Sequence, residues 1–149
     1  MNKKESFSKN VFLISVPLVA FDALTKWLTV KYKATEACSF WELLCFKYSE
    51  NTGIAFSIPI PLVVISVMNV VLLGFILKFA TQEFKVNKIS TTALSLIFAG
   101  GVGNLIDRVA RGFVVDFISV SKFPIFNVAD IYISVGVLMV LAFYGKIKR

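Results

Sequence analysis

Apolar and polar positions alternate on a long scale along this chain. Four apolar runs, at about residues 11–30, 61–80, 91–106 and 128–144, are separated by shorter polar or aromatic stretches. A helix needs about 20 apolar residues to cross roughly 30 Å of hydrocarbon, and each run comes near that length. The pattern predicts an all-α polytopic membrane protein with four transmembrane helices. Between the first two runs, at about residues 31–58, the segment FWELLCFKYSENTGIAFS mixes Phe40, Trp41, Phe46, Tyr48 and Phe56 with the turn formers Asn51 and Gly53. That mixture predicts short strands, a small β-sheet at the membrane interface. Pro59 and Pro61 suit the first turn of the second helix. Asp107 to Phe126 reads as an irregular connection between the third and fourth helices.

Composition agrees with the pattern. Hydrophobic residues make up 57% of the 149 and the mean hydropathy is +0.79, well above a soluble domain. The length leaves no room for a second domain, so residues 1–149 are read as one membrane-embedded unit. A basic start before an apolar run also fits a signal peptide. No small-x-small cleavage site follows, and TEAC at Cys38 lacks the apolar residue expected three places before a lipidated cysteine. The first run is therefore expected to remain a helix of the protein.

The net charge of +7 raises nucleic acid as a partner, but its distribution speaks for topology. With four spans, both ends and the middle loop share one face. That face carries Lys3, Lys4, Lys9, Lys78, Lys85, Lys88, Lys146, Lys148 and Arg149 against only Glu5 and Glu83; elsewhere seven cations meet seven acids. The positive-inside rule makes the basic face cytoplasmic and turns the aromatic stretch and residues 107–126 outward. No nucleic-acid partner is expected.

Chemistry is bounded by what is missing. The chain has no histidine, which removes Ser–His and Cys–His catalysis and the common histidine-based zinc sites. Its two cysteines, Cys38 and Cys45, leave open one bridge outside the cytoplasm or two semi-buried thiols. Carboxylates are the remaining candidates. Asp116 interrupts the apolar segment VVDFI, and Asp130 opens the last apolar run in FNVAD. A membrane charges several kcal/mol for an unpaired carboxylate. Two carboxylates at close range share a proton, so one takes a proton from water while the other gives one to the substrate. No metal or cofactor is needed for that. The bland readings are a cap box between Asn127 and Asp130 and an ion pair between Asp116 and Arg108 or Arg111.

Asp22 and Lys26 lie four apart, acid first, the favoured order for a helix ion pair; mutual neutralisation and a proton path both fit. Asn104, Asp107 and Arg108 end the third run, where Arg108 offers a planar donor fork. Asn51 presents an amide beside the Gly53 turn. A Ser57–Lys26 protease dyad is a poor reading, because Asp22 beside Lys26 spoils it as a base.

Together these motifs resemble lipoprotein signal peptidase (signal peptidase II), the bacterial membrane aspartyl protease family. The pieces are DALTK at 22–26, NTGIAFS at 51–57, GGVGNLIDR at 100–108, VVDFI at 114–118 and FNVAD at 126–130. They occur in the family's order across essentially the whole chain. The resemblance implies that Asp116 and Asp130 are the catalytic dyad. It implies that Asn51, Gly53, Asn104, Arg108 and Asn127 line the substrate site, with Asp22, Lys26 and Asp107 in support. The implied substrate is a diacylglyceryl-modified prolipoprotein, cut just before the lipidated cysteine by a monomer of the bacterial inner membrane, among membrane lipid. In such enzymes the stretch after the first span forms a small extracytoplasmic sheet, the cradle. Two departures stand out: thirteen residues separate Asp116 from Asp130, on the short side for the family, and Ile54 replaces a usual small residue. The rival readings are a proton- or ion-conducting transporter subunit and a non-enzymatic assembly factor.

Overall fold

A computed structural model describes residues 3–32, 37–39, 43–53, 61–121 and 123–148. Ile54, Ser57 and Pro59 lie outside the described residues, as do Phe40, Trp41 and Phe56 of the aromatic stretch. The order is α1 (Lys3–Tyr32), β1 (Ala37–Ser39), β2 (Leu44–Asn51), α2 (Leu62–Glu83), α3 (Lys88–Arg111), β3 (Val114–Val120), α4 (Val128–Ala142) and a single turn, α5 (Tyr144–Ile147).

The helices are inside out by the standard of a water-soluble protein. Val63, Val71, Phe75, Leu138 and Leu141 are each more than 60% exposed, while Ser15, Asp22, Lys26, Ser95, Asn104, Asp107 and Asn127 are buried. Apolar outer faces of this extent belong against lipid. Helices α1, α2 and α3 are long and apolar enough to cross a membrane; α4 is apolar and, at 15 residues, shorter.

Three boundaries differ from the sequence reading. Helix α1 begins at Lys3 rather than near Val11, because KKESFSKN carries nothing that breaks a helix and places Phe7 and Val11 in the apolar core with Ala80, Phe84, Leu94 and Ile147. Helix α3 continues to Arg111, where Gly112 takes the left-handed conformation (φ 80°) and its N–H caps the Arg108 carbonyl. Such a cap favours glycine. The supposed irregular connection then becomes β3, an apolar, β-branched strand. It completes an antiparallel sheet of order β1–β2–β3, so the sheet draws on the segment between α3 and α4 as well as on residues 31–58. Between Phe46 and Ser49 the β2–β3 register shifts, bringing Ser49 opposite Asp116 and Asn51 opposite Val114.

Cys38 and Cys45 are directly opposed on β1 and β2 and form a disulfide, which settles the alternative left open by the sequence.

Helices α3 and α4 meet through glycine. A Cβ on Gly100 would run into the Ala129 carbonyl oxygen, and one on Gly136 would lie 2.7 Å from the Ala93 carbonyl oxygen. This approach brings the start of α4 against the middle of α3. Gly100→Ala is expected to lower stability by about 1–3 kcal/mol through overpacking. Gly74→Ala, where an added Cβ meets nothing within 4 Å, should be neutral or stabilising by up to about 1 kcal/mol. Thermal unfolding in detergent distinguishes them; equal effects would remove the close-approach argument.

Candidate active site

Where α1, α3, β3 and the start of α4 converge, the interior turns polar. Asn127 caps α4 with a reciprocal box: its Oδ1 accepts from Asp130 N–H at 3.0 Å, and Asp130 Oδ2 accepts from Asn127 N–H at 3.2 Å. The expected cap box is therefore real, but it does not use up Asn127. The Asn127 amide nitrogen donates to Asp116 Oδ1 at 2.7 Å and to Asn104 Oδ1 at 3.1 Å. One residue thus holds both Asp116 and Asp130.

Each carboxylate has a second donor. Asn51 Nδ2 reaches Asp116 Oδ2 at 3.0 Å across the β2–β3 ladder, and its Oδ1 accepts from Gly53 N–H at 3.1 Å. The bulged register makes Asn51 the diagonal neighbour of Asp116. Asn104 Nδ2 donates to Asp130 Oδ1 at 2.8 Å.

Behind them lies Lys26, 1% exposed. Its ammonium meets Asp22 Oδ2 at 2.8 Å, Asn104 Oδ1 at 3.0 Å and Asp107 Oδ2 at 3.2 Å. An ammonium has three N–H donors, and three acceptors surround this one. Asp107 Oδ1 also pairs with Arg111 Nε at 3.1 Å, so Arg111 serves Asp107 and not Asp116. Arg108 shares the electrostatic environment of Asp130, Asp116 and Asp107, and its buried Nε has no hydrogen-bond partner among the described residues. Among those residues, no group of three His, Cys, Asp or Glu side chains has the arrangement of a metal site.

The ten residues that the resemblance assigns to the site or its support lie in or beside this network. Two further contributors are backbone groups. Ala129 N–H donates to Asp22 Oδ1 at 2.9 Å, and Val115 N–H donates to Asp107 Oδ2 at 3.1 Å. Main-chain donors leave no mark in residue identity, and only the assembled fold reveals them.

The family model for signal peptidase (SPase) II matches residues 14–145. The chain belongs to the signal peptidase II family. It is 35% identical to a lipoprotein signal peptidase of Borreliella afzelii, covering 100% of this chain and 97% of that protein. With the lipoprotein signal peptidase of Shouchella clausii it shares 36% identity over 85% and 86% of the two chains. Two solved structures described as bacterial membrane enzymes superpose with TM-scores of 0.81 and 0.80. They are 30% and 31% identical, and the matches cover 91% and 89% of this chain and 87% and 90% of theirs.

In this signal peptidase II family member the two acids are not in equivalent surroundings. Asp116 is 3% exposed, whereas Asp130 is half-buried. Burial pushes the Asp116 carboxyl from 3.8 up to about 6; the Asn51 hydrogen bond opposes this, the Asp130 charge adds to it, and the Asn127 bond opposes it. The folded protein therefore holds this proton more tightly than the unfolded chain does. The linked stabilisation is present below about pH 4 and is lost as pH rises through about 6. Asp116→Asn removes this dependence. Its melting temperature relative to wild type should rise between about pH 4 and pH 6, and a difference that stays flat with pH would contradict the burial account.

Proposed function

We infer that this protein is a membrane aspartic endopeptidase that removes the signal peptide from diacylglyceryl-modified prolipoproteins, cutting just before the lipidated cysteine. Family membership supplies the substrate class. The observation that carries the chemistry is that Asp116 and Asp130 are both held by Asn127, close enough for the Asp130 charge to help raise the Asp116 carboxyl.

Charge balance supports a single shared proton. Asp22 and Asp107 are offset by Lys26 and Arg111. That leaves Arg108, which lies within the electrostatic reach of Asp130 and Asp116. A pair carrying one proton has one negative charge and balances Arg108; a doubly ionised pair leaves an uncompensated charge in a buried site, which is costly. With one proton between them, one acid draws a proton from a bound water while the other protonates the carbonyl oxygen or the leaving amine. Fixing the peptide beside that water turns attack into a nearly unimolecular step. Arg108, with donor capacity to spare, and Asn51, Asn104 and Asn127 are the substrate-facing groups; Asp22, Lys26 and Asp107 support them.

The setting is a bacterial inner membrane crossed four times, with α4 as the fourth span and residues 1–149 forming one peptidase unit. Both termini lie in the cytoplasm, with the sheet and the acids on the outer side. The charge asymmetry favours this orientation. The Cys38–Cys45 disulfide does so independently, because cytosolic thiols stay reduced. A monomer suffices, since both acids and their donors come from one chain, and the apolar helix faces are left to lipid.

An ion path needs ionisable groups spread through the bilayer's depth, whereas the buried charges here gather at one end of the bundle. Asp116→Asn and Asp130→Asn should each abolish cleavage of a lipidated precursor in a reconstituted assay while the protein remains folded and inserted. Near wild-type cleavage by either variant would refute the paired-acid reading.

A further inference from the structure

The Lys26 ammonium reaches both aspartates through three separate routes. Its first acceptor, Asp22, uses the other carboxylate oxygen to hold the N–H of Ala129, the residue before Asp130. Its third acceptor, Asp107, holds the N–H of Val115, the residue before Asp116, with the same Oδ2 that meets Lys26. Its second, Asn104, donates directly to the Asp130 carboxylate. We propose that Lys26 is the positioning residue that fixes the two aspartates relative to each other, by gathering three acceptors that each end on one acid or on the residue before it. This rests on the reading of Asp116 and Asp130 as the working pair.

The bland account is that Lys26 only neutralises Asp22. That account leaves two contacts unexplained. Asp107 already has Arg111 at 3.1 Å, and Asn104 carries no charge to neutralise. The contact to Asn104 also has a directional consequence. An ammonium can only donate, and the Asn127 amide nitrogen donates to the same Asn104 oxygen. Asn104 must therefore turn its oxygen toward these donors, which leaves its N–H₂ facing Asp130. Without the ammonium, one of the two groups that set this orientation is gone. The four elements that carry the acids and their supports (α1, α3, β3 and α4) are tied at one atom.

The test uses the full-length protein in lipid bilayers and a diacylglyceryl-modified precursor peptide. The informative variant is the double substitution Asp22→Asn with Lys26→Met. It keeps an acceptor for Ala129 N–H and leaves Asp107 balanced by Arg111, so the cluster stays neutral while the ammonium is lost. The expected result is a melting temperature near wild type and KM within about twofold, with kcat down about a hundredfold, the scale of a misplaced reacting group. Recovery of kcat to near wild type would show that Lys26 is only a counter-charge and overturn the proposal. Lys26→Arg gives a second reading should the double variant fail to insert. It preserves the charge but replaces a compact donor by a planar fork, so kcat should again fall while KM holds, and a wild-type kcat would overturn the proposal. Asp116→Asn and Asp130→Asn are measured alongside. If either is active, the paired-acid reading itself fails; if both are inactive while the Lys26 variants are active, only the positioning role falls.

Discussion

An ionised group buried in an apolar bundle must be met by opposite charge and by hydrogen bonds, or the fold gives up several kcal/mol for each such group. This constraint organises the polar end of the molecule. Lys26, Asp22 and Asp107 are each 4% exposed or less, and none is left to solvent. Their mutual contacts fix where α1 stands against α3, and the hydrogen bonds that the two aspartates accept from Ala129 and Val115 tie down the starts of α4 and β3. The apolar cluster around Phe7, Val11 and Ile147 closes the opposite end by ordinary packing. One end of the bundle is thus held by area, the other by charge and direction.

Much of this was legible in the chain because the physics acts on residue type. Apolar runs announce the helices, and an aspartate inside VVDFI or at the head of an apolar run stands out as a candidate because of its cost there. The Asn127–Asp130 cap box was readable from spacing. The same spacing concealed the dual role of Asn127, whose side chain serves the cap with its oxygen and the site with its nitrogen. The strand β3 was not readable. Asp116 interrupts its apolar run, and its main edge partner, β2, lies more than sixty residues earlier. Strand pairing over such a distance is a tertiary fact. The early start of α1 and the extension of α3 to Arg111 likewise depend on core contacts and on the left-handed cap at Gly112.

The sheet and the helices meet in the site from different directions. Asn51 comes from β2, its amide fixed by Gly53, and it reaches Asp116 only because the ladder slips between Phe46 and Ser49. The disulfide joins β1 to β2 at the other end of the same strand. Asp116 thus takes one donor from the sheet and one from the helix cap, whereas Asp130 takes both of its donors from helical and capping residues. The two acids differ in burial as well, and an unequal pair is what acid–base division of labour requires.

The shortness of α4 has a geometric consequence for the lipid. Its 15 residues rise about 22 Å, against roughly 30 Å of hydrocarbon. If its far end rests at one face, the start of the helix lies about 8 Å beneath the other, and Asp130, two residues further in, about 11 Å, at the level of the acyl chains. The surrounding leaflet must then dimple toward the helix start, carrying water down to the acids and shortening the path by which a glyceride-anchored cysteine comes level with them.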